Sequence, residues 1–161
     1  MNRIAQILQP ENILVHPVAT SKKRVFEQIG LLGETRFHVA RLIIYGCLFE
    51  REKLGSTGIG HGIAIPHGRI PGLTEPTGIF VKLKKSIPYE APDSVPVDLL
   101  FALLVPEQMN DIHLMLLAEL AQLFSQAELR SALRETDDIK TLHVLLTNGS
   151  KYAPNKHRKA I

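Results

Sequence analysis

The sequence predicts an α/β domain in which helices cover both faces of a β-sheet. Two runs rich in strand-forming residues, 77–83 and 98–105, are bounded by proline or polar residues. The second run is apolar almost throughout, as expected of a central strand that is covered on both faces. Helical periodicity occurs both before and after these runs, so helices packed on both faces of the sheet are the economical arrangement.

The first third of the chain is predicted to be mainly helical. Residues 3–8 have the pattern of a short helix, and residues 13–16 that of an extended segment. Ser21 is placed to cap a helix, which we expect Gly33 to end. A second helix over residues 37–50 carries an apolar stripe and leads directly into a glycine-rich segment.

Three helices are predicted after the second strand run. They cover residues 111–124, 126–133 and 138–146. Ser125 and Glu128 have the spacing of a capping box, which would begin the second of these helices.

Length and charge indicate one domain followed by a tail. The 161 residues, 45% of them hydrophobic, suffice for one substantial core, which we place in residues 4–147. The net charge is +3, but residues 150–161 carry four of the 19 basic residues and no acidic one, so residues 1–149 carry a net charge of −1. Residues 148–161 are therefore expected to form a basic, solvated tail, and nucleic-acid binding by the body is disfavoured.

Hydrophobic runs and cysteine content set the expected compartment. No apolar run approaches the roughly 20 residues that cross a bilayer, and the polar N-terminal segment lacks the apolar centre of a secretion signal. We therefore expect a cytoplasmic protein without membrane insertion. Cys47 is the single cysteine, so no disulfide can form within the chain, and its apolar neighbours predict burial rather than a nucleophilic role.

Residues 55–69, with the sequence GSTGIGHGIAIPHGR, have the composition of a functional site centred on His67. Pro66 disfavours helix at the preceding residue, so residues 63–65 should be extended and His67 should lie at the end of a strand.

The glycines before this strand leave backbone N–H groups open to an anion, with two hydroxyls as further donors. This composition favours a phosphoryl cradle, and its predicted members are Ser56, Thr57, Gly58 and Gly60. A common nucleotide-binding loop is excluded, because no Lys-Ser/Thr pair follows and the glycines lead into a strand. From local sequence, an ordinary glycine-rich turn beside a histidine remains the alternative.

A metal site is a weaker interpretation of the histidines. His61, His67 and His113 would be its ligands, but no Cys, Asp or Glu is obviously placed as a companion ligand. We therefore predict no metal.

Four segments resemble a known family when taken together and in order. REKLGSTGIG, GIAIPHGR, PVDLLFALLVP and HLMLLAEL are similar to the motifs of type-2 enzyme IIA domains of the bacterial phosphotransferase system, in the nitrogen-regulatory branch. The resemblance implies an α/β fold with a mixed β-sheet flanked by helices on both faces. It also implies that His67 accepts a phosphoryl group, as tele-phosphohistidine, from a small phosphohistidine carrier protein and without a cofactor.

The resemblance also gives expected roles to two further residues. His113 lies in the first turn of a predicted helix, where local reasoning allows a hydrogen-bonded core histidine, whereas the family position implies hydrogen-bond support of His67. Arg51 ends a predicted helix, where it could be a solvated cation, whereas the family position implies a contact with the phosphoryl group or the carrier. Glu52 and Lys53 are expected to be surface charges, and Arg69 to contribute a positive field. Family members carry Asn at the position of His61, so the resemblance implies that His61 is an exposed loop residue.

The expected partners also follow from the resemblance. Phosphorylation would control binding to regulatory or transport proteins, such as potassium-transport regulators or sensor kinases. The alternative is a sugar-branch IIA component that passes phosphate to a sugar-specific IIB domain.

Overall fold

The computed structural model of the chain describes residues 3–108 and 111–149. Most of the predicted basic tail lies outside these residues, and only its first two positions are described. Asn148 caps the last helix through its backbone N–H, and Gly149 is buried beside Leu123. These two residues therefore contact the folded domain.

The described part of the chain contains six α-helices, one short 3₁₀ helix at Pro10–Asn12 and six strands. The helices are Arg3–Ile7 (α1), Lys22–Phe37 (α2), Arg41–Lys53 (α3), Ile112–Phe124 (α4), Ala127–Glu135 (α5) and Ile139–Thr147 (α6). The strands are Ile13–Val15 (β1), Gly58–Gly60 (β2), Ile63–Ala64 (β3), His67–Ile70 (β4), Thr77–Ile87 (β5) and Val97–Pro106 (β6).

The strands form one mixed sheet in the order β1-β5-β6-β3-β2, with β4 also paired to β6. Strand β6 runs antiparallel to β5 and parallel to β3 and β4, while β1 is parallel to β5 and β2 is antiparallel to β3. The predicted strand over residues 98–105 is therefore central, as its apolar sequence indicated.

Strands β3 and β4 lie end to end along β6. Ala64 pairs with Leu100, pairing resumes at His67 with Leu103, and the Pro66 carbonyl accepts a hydrogen bond from the Leu103 N–H between them. The prediction that His67 lies at the end of a strand is therefore wrong. Proline has no N–H for the ladder, so it separates β3 from β4 and His67 begins the second short strand.

Helices cover both faces of the sheet, which confirms the predicted fold class. Alternate residues of β6 point into different cores. Leu100, Ala102 and Leu104 face α2 and α3, whereas Phe101 and Leu103 face α1, α4, α5 and α6.

The boundary between α2 and α3 differs from the prediction. Helix α2 continues through Gly33 to Phe37, and His38 ends it in a left-handed conformation with φ of 59°. A Cβ atom on Gly33 would lie 2.5 Å from Cδ1 of Ile44. Glycine is present here because the two helices pack closely, so it does not end the helix.

The predicted capping box does not form. Ser125 has helical backbone angles and its hydroxyl donates to the Gln122 carbonyl, while Gln126 precedes α5 without a side-chain cap. Ser125 instead completes the last turn of α4.

Among residues 3–108 and 111–149, no helix combines the length and the apolar character that crossing a membrane requires.

Candidate active site

A pocket of about 740 Å³ opens where α3, β4 and the first turns of α4 meet. His67 and Arg69 enter it from β4, Arg51 from the last turn of α3 and His113 from α4. His67 and Arg69 are two residues apart on a strand, so their side chains project from the same face. The pocket thus brings together four residues that the sequence singled out separately.

His67 is held in one tautomer by its own backbone. Its Nδ1 lies 2.9 Å from the carbonyl oxygen of Ile65, which can only accept a hydrogen bond. Nδ1 therefore carries the proton and Nε2 has a free electron pair. Arg51 donates to this pair, with Nε 3.2 Å from Nε2 of His67.

The surroundings keep the His67 ring neutral. Burial lowers the pKa of His67 below the ordinary value, and the Arg51 guanidinium and the neighbouring His113 act in the same direction. The Ile65 hydrogen bond and the Glu52 carboxylate oppose this shift. The net lowering of the pKa leaves Nε2 unprotonated at neutral pH, which is the state that a nucleophile requires.

Arg51 is fixed by the turn that follows α3. Its Nη1 donates to the Gly55 carbonyl at 2.9 Å, while Nε points to His67. Helix α3 lies over β4 at Gly68, where a Cβ atom would be 3.4 Å from Cβ of Cys47. This packing brings the end of the helix to the imidazole.

His113 lies next to Arg69 in the pocket. Nη2 of Arg69 is 3.5 Å from both ring nitrogens of His113, and Nη1 donates to the Glu107 carbonyl at 3.3 Å. His113 is only partly buried, so it is a rim residue of the pocket rather than a core histidine. Cys47 also lines the pocket, and burial raises the pKa of its thiol, which disfavours the reactive thiolate.

The structure does not bring the four predicted cradle residues into this pocket. The Ser56 hydroxyl donates to the Tyr89 carbonyl and accepts from the Gly58 N–H, so both residues serve the turn. Gly60 faces the Asp93 carboxylate, and the Thr57 N–H and hydroxyl both donate to Glu52. The cradle prediction is corrected accordingly, because these donors satisfy the loop itself.

Glu52 was expected to be a surface charge, and this prediction is also wrong. Its side chain is only 6% exposed, in contrast to the 67% exposed side chain of Lys53. It accepts from Thr57 and pairs with Nζ of Lys22 at 3.0 Å. The burial of Glu52 could have been predicted from helical spacing, because Glu52 is four residues after the buried Leu48 and shares its face of α3.

Tyr89 completes the group beside Glu52. Its hydroxyl lies 2.9 Å from the Thr57 hydroxyl, and Nζ of Lys22 lies 4.2 Å from the centre of its ring. Burial and, secondarily, the nearby Glu52 carboxylate raise the pKa of Tyr89 strongly, so the phenol stays protonated.

His61 lies away from the pocket, in the turn between β2 and β3. Its N–H donates to Asp93 at 2.9 Å and its carbonyl accepts from Arg134. His61 is exposed, as expected, and the described residues contain no group of three His, Cys, Asp or Glu side chains that could hold a metal.

Comparison with known proteins agrees with the geometry. Residues 6–149 match the family model described as phosphoenolpyruvate-dependent sugar phosphotransferase system, EIIA 2. A nitrogen regulatory protein of Pseudomonas aeruginosa is 41% identical over 149 residues, covering 92% of this chain and 97% of that protein.

Solved structures have the same fold. Nitrogen regulatory protein IIA-Ntr from Neisseria meningitidis superposes with a TM-score of 0.85 at 41% identity, covering 90% of this chain and 99% of that one. In a complex of enzyme IIA and phosphorylated enzyme IIB for mannitol from Escherichia coli, the matched chain has a TM-score of 0.74 at 18% identity, over 88% of this chain and 97% of that one. The second similarity concerns the fold alone. The chain therefore belongs to the EIIA type-2 family of the phosphotransferase system, with nitrogen regulatory proteins among its relatives.

Proposed function

We propose that His67 accepts a phosphoryl group at Nε2 from a phosphohistidine carrier protein, and that the phosphorylated state controls binding to other proteins. The observation that carries this proposal is the hydrogen bond from Nδ1 to the Ile65 carbonyl. That bond leaves the electron pair on the ring nitrogen that faces the pocket.

The transfer is a displacement at phosphorus. The Nε2 electron pair forms a new N–P bond while the N–P bond of the carrier breaks, and its electrons return to the carrier imidazole. Nδ1 of His67 keeps its proton, so the phosphorylated ring becomes cationic. The Ile65 carbonyl, which accepts from Nδ1, stabilises that positive charge.

The pocket supplies donors for the phosphoryl oxygens. Arg51 must leave Nε2 when phosphorus arrives, and its guanidinium is then adjacent to the equatorial oxygens. Arg69 and His113, which lie next to each other, also line this pocket. These groups can stabilise the spread charge of the transition state by hydrogen bonding.

The rim of the pocket supports a protein donor rather than a small one. Leu42, Leu54 and Leu114 are 77%, 85% and 56% exposed around the entrance. Clustered exposed leucines favour contact with a protein surface. A phosphoryl dianion at the centre of this surface changes its charge, so partners can distinguish the two states.

The test is incubation with phosphoenolpyruvate, the general phosphotransfer enzyme and a carrier, followed by mass analysis of the intact protein. We expect one acid-labile phosphoryl group on the parent and none on His67→Ala. Continued labelling of His67→Ala would overturn the assignment of the acceptor.

Two classes of regulatory target are proposed. Potassium-transport regulators and sensor kinases are the proposed classes, and binding of each to the two phosphorylation states would be compared with purified proteins. Rapid transfer from His67 to a sugar-specific IIB domain would favour the alternative function in sugar transport.

A further inference from the structure

Resting on the proposed function, we infer that Glu52 is a positioning residue for the transfer. Through a buried network with Thr57, Lys22 and Tyr89, it holds the end of α3 so that Arg51 meets Nε2 of His67. It does not touch the reacting atoms itself.

The first observation is how completely the Glu52 carboxylate is engaged. The Thr57 N–H donates to its two oxygens at 3.1 and 3.3 Å, and the Thr57 hydroxyl donates to Oε2 at 2.6 Å. Lys22 approaches Oε1 at 3.0 Å. A buried carboxylate with this many partners has one orientation, so it can fix the backbone to which it is attached.

The second observation is where this anchor lies in the chain. Glu52 adjoins Arg51, and its bonds to Thr57 close the turn that follows α3. Arg51 itself donates to Gly55 within that turn. Glu52 and Arg51 therefore both hold the turn after α3 by hydrogen bonds. Together these bonds direct Nε of Arg51 toward the imidazole of His67.

The third observation is that the network reaches two other elements. Lys22 is the first residue of α2, and Tyr89 lies in the segment between β5 and β6. The Lys22 ammonium balances the Glu52 charge, and the Tyr89 hydroxyl bonds to Thr57. The position of Arg51 thus depends on packing in the core beneath the pocket, and not only on groups inside the pocket.

The experiment uses three variants of the network. Glu52→Gln removes the carboxylate charge, and Thr57→Val removes the hydroxyl with little change of shape. Thr57→Ser keeps the hydroxyl and removes the methyl group. Transfer from the phosphorylated carrier is measured by rapid quench across carrier concentrations. Glu27→Gln, which removes a carboxylate from α2 outside the pocket, is the matched control.

We expect Glu52→Gln and Thr57→Val to lower the transfer rate at saturating carrier by up to about 100-fold. The apparent KM should change little, because the docking rim is intact. Thr57→Ser should recover most of the rate, and Glu27→Gln should match the parent. Thermal unfolding identifies any variant that has lost its fold. If Glu52→Gln does not fold, Thr57→Val alone tests the inference.

A double-mutant cycle separates positioning from a general structural role. In an Arg51→Ala background, Thr57→Val should cause almost no further loss of rate, because the residue through which it acts is absent. Additive losses, or unchanged rates in folded Glu52→Gln and Thr57→Val, would overturn the inference. Failure of the parent to accept phosphate at His67 would instead overturn the proposed function, so the two failures are distinguishable.

Discussion

Removal of the Arg51 side chain should impair transfer much more than it impairs stability. Arg51→Ala deletes the donor 3.2 Å from Nε2 of His67 and the hydrogen bond to Gly55 at 2.9 Å. Loss of a donor to transition-state oxygens costs about 2.7–4 kcal/mol, or 100- to 1000-fold in rate. Two lost hydrogen bonds of about 0.5–1.5 kcal/mol each limit the loss of unfolding free energy.

The assay is rapid-quench transfer from a phosphorylated carrier, with chemical denaturation of each variant beside it. Arg51→Lys should recover little of the rate, because an ammonium cannot donate from the Nε position or as a planar fork. Titration by NMR should show a higher His67 pKa in Arg51→Ala, since a cation that lowers it is gone. Transfer by Arg51→Ala within about threefold of the parent rate would refute the role given to Arg51.

Three further predictions concern pH, the pocket rim and the core. Because the folded-state pKa of His67 lies below its usual 6.5, the unfolded chain binds more protons just below that pH. As the pH falls below about 6.5, the parent should therefore lose more unfolding free energy than His67→Gln, which lacks the titrating ring. Chemical denaturation of both proteins at several pH values measures this difference. His113→Ala should fold normally and transfer more slowly in the quench assay, and an unchanged rate would make His113 structural. Gly78→Ala would place Cβ 2.5 Å from the Phe101 ring and should lower the unfolding free energy by about 1–3 kcal/mol. As a control, Gly46→Ala has open space around its Cβ and should stabilise α3, because alanine favours helix more than glycine does.

Most of the architecture could be predicted from the sequence, because the strongest sequence patterns depend on neighbouring residues alone. The apolar run at β6 and the helical stripes of α3 and α4 depend on periodicity, which survives without knowledge of the partners. Gly33 was misjudged because its reason is a contact with Ile44 on another helix. The sequence alone does not distinguish a glycine that ends a helix from a glycine that lets a neighbouring helix pack closely.

The sequence singled out the two histidines that line the pocket, but it did not predict the contacts of the loop after α3. Pro66 marked the position of His67, and the family resemblance added His113 and Arg51. Composition alone suggested that Thr57 faces a phosphoryl group, whereas its hydroxyl binds the buried Glu52. Which way a donor points depends on the turn and on the tertiary partners, and residues far apart in sequence, such as Lys22, complete that arrangement.

The identity of the phosphorylated ring nitrogen tests the central claim most directly. Long-range proton–nitrogen NMR of the phosphorylated protein, labelled with nitrogen-15, distinguishes the two nitrogens of His67. The Ile65 hydrogen bond predicts phosphorus on Nε2 with a proton retained on Nδ1. Phosphorus on Nδ1, or on any other residue, would contradict the mechanism.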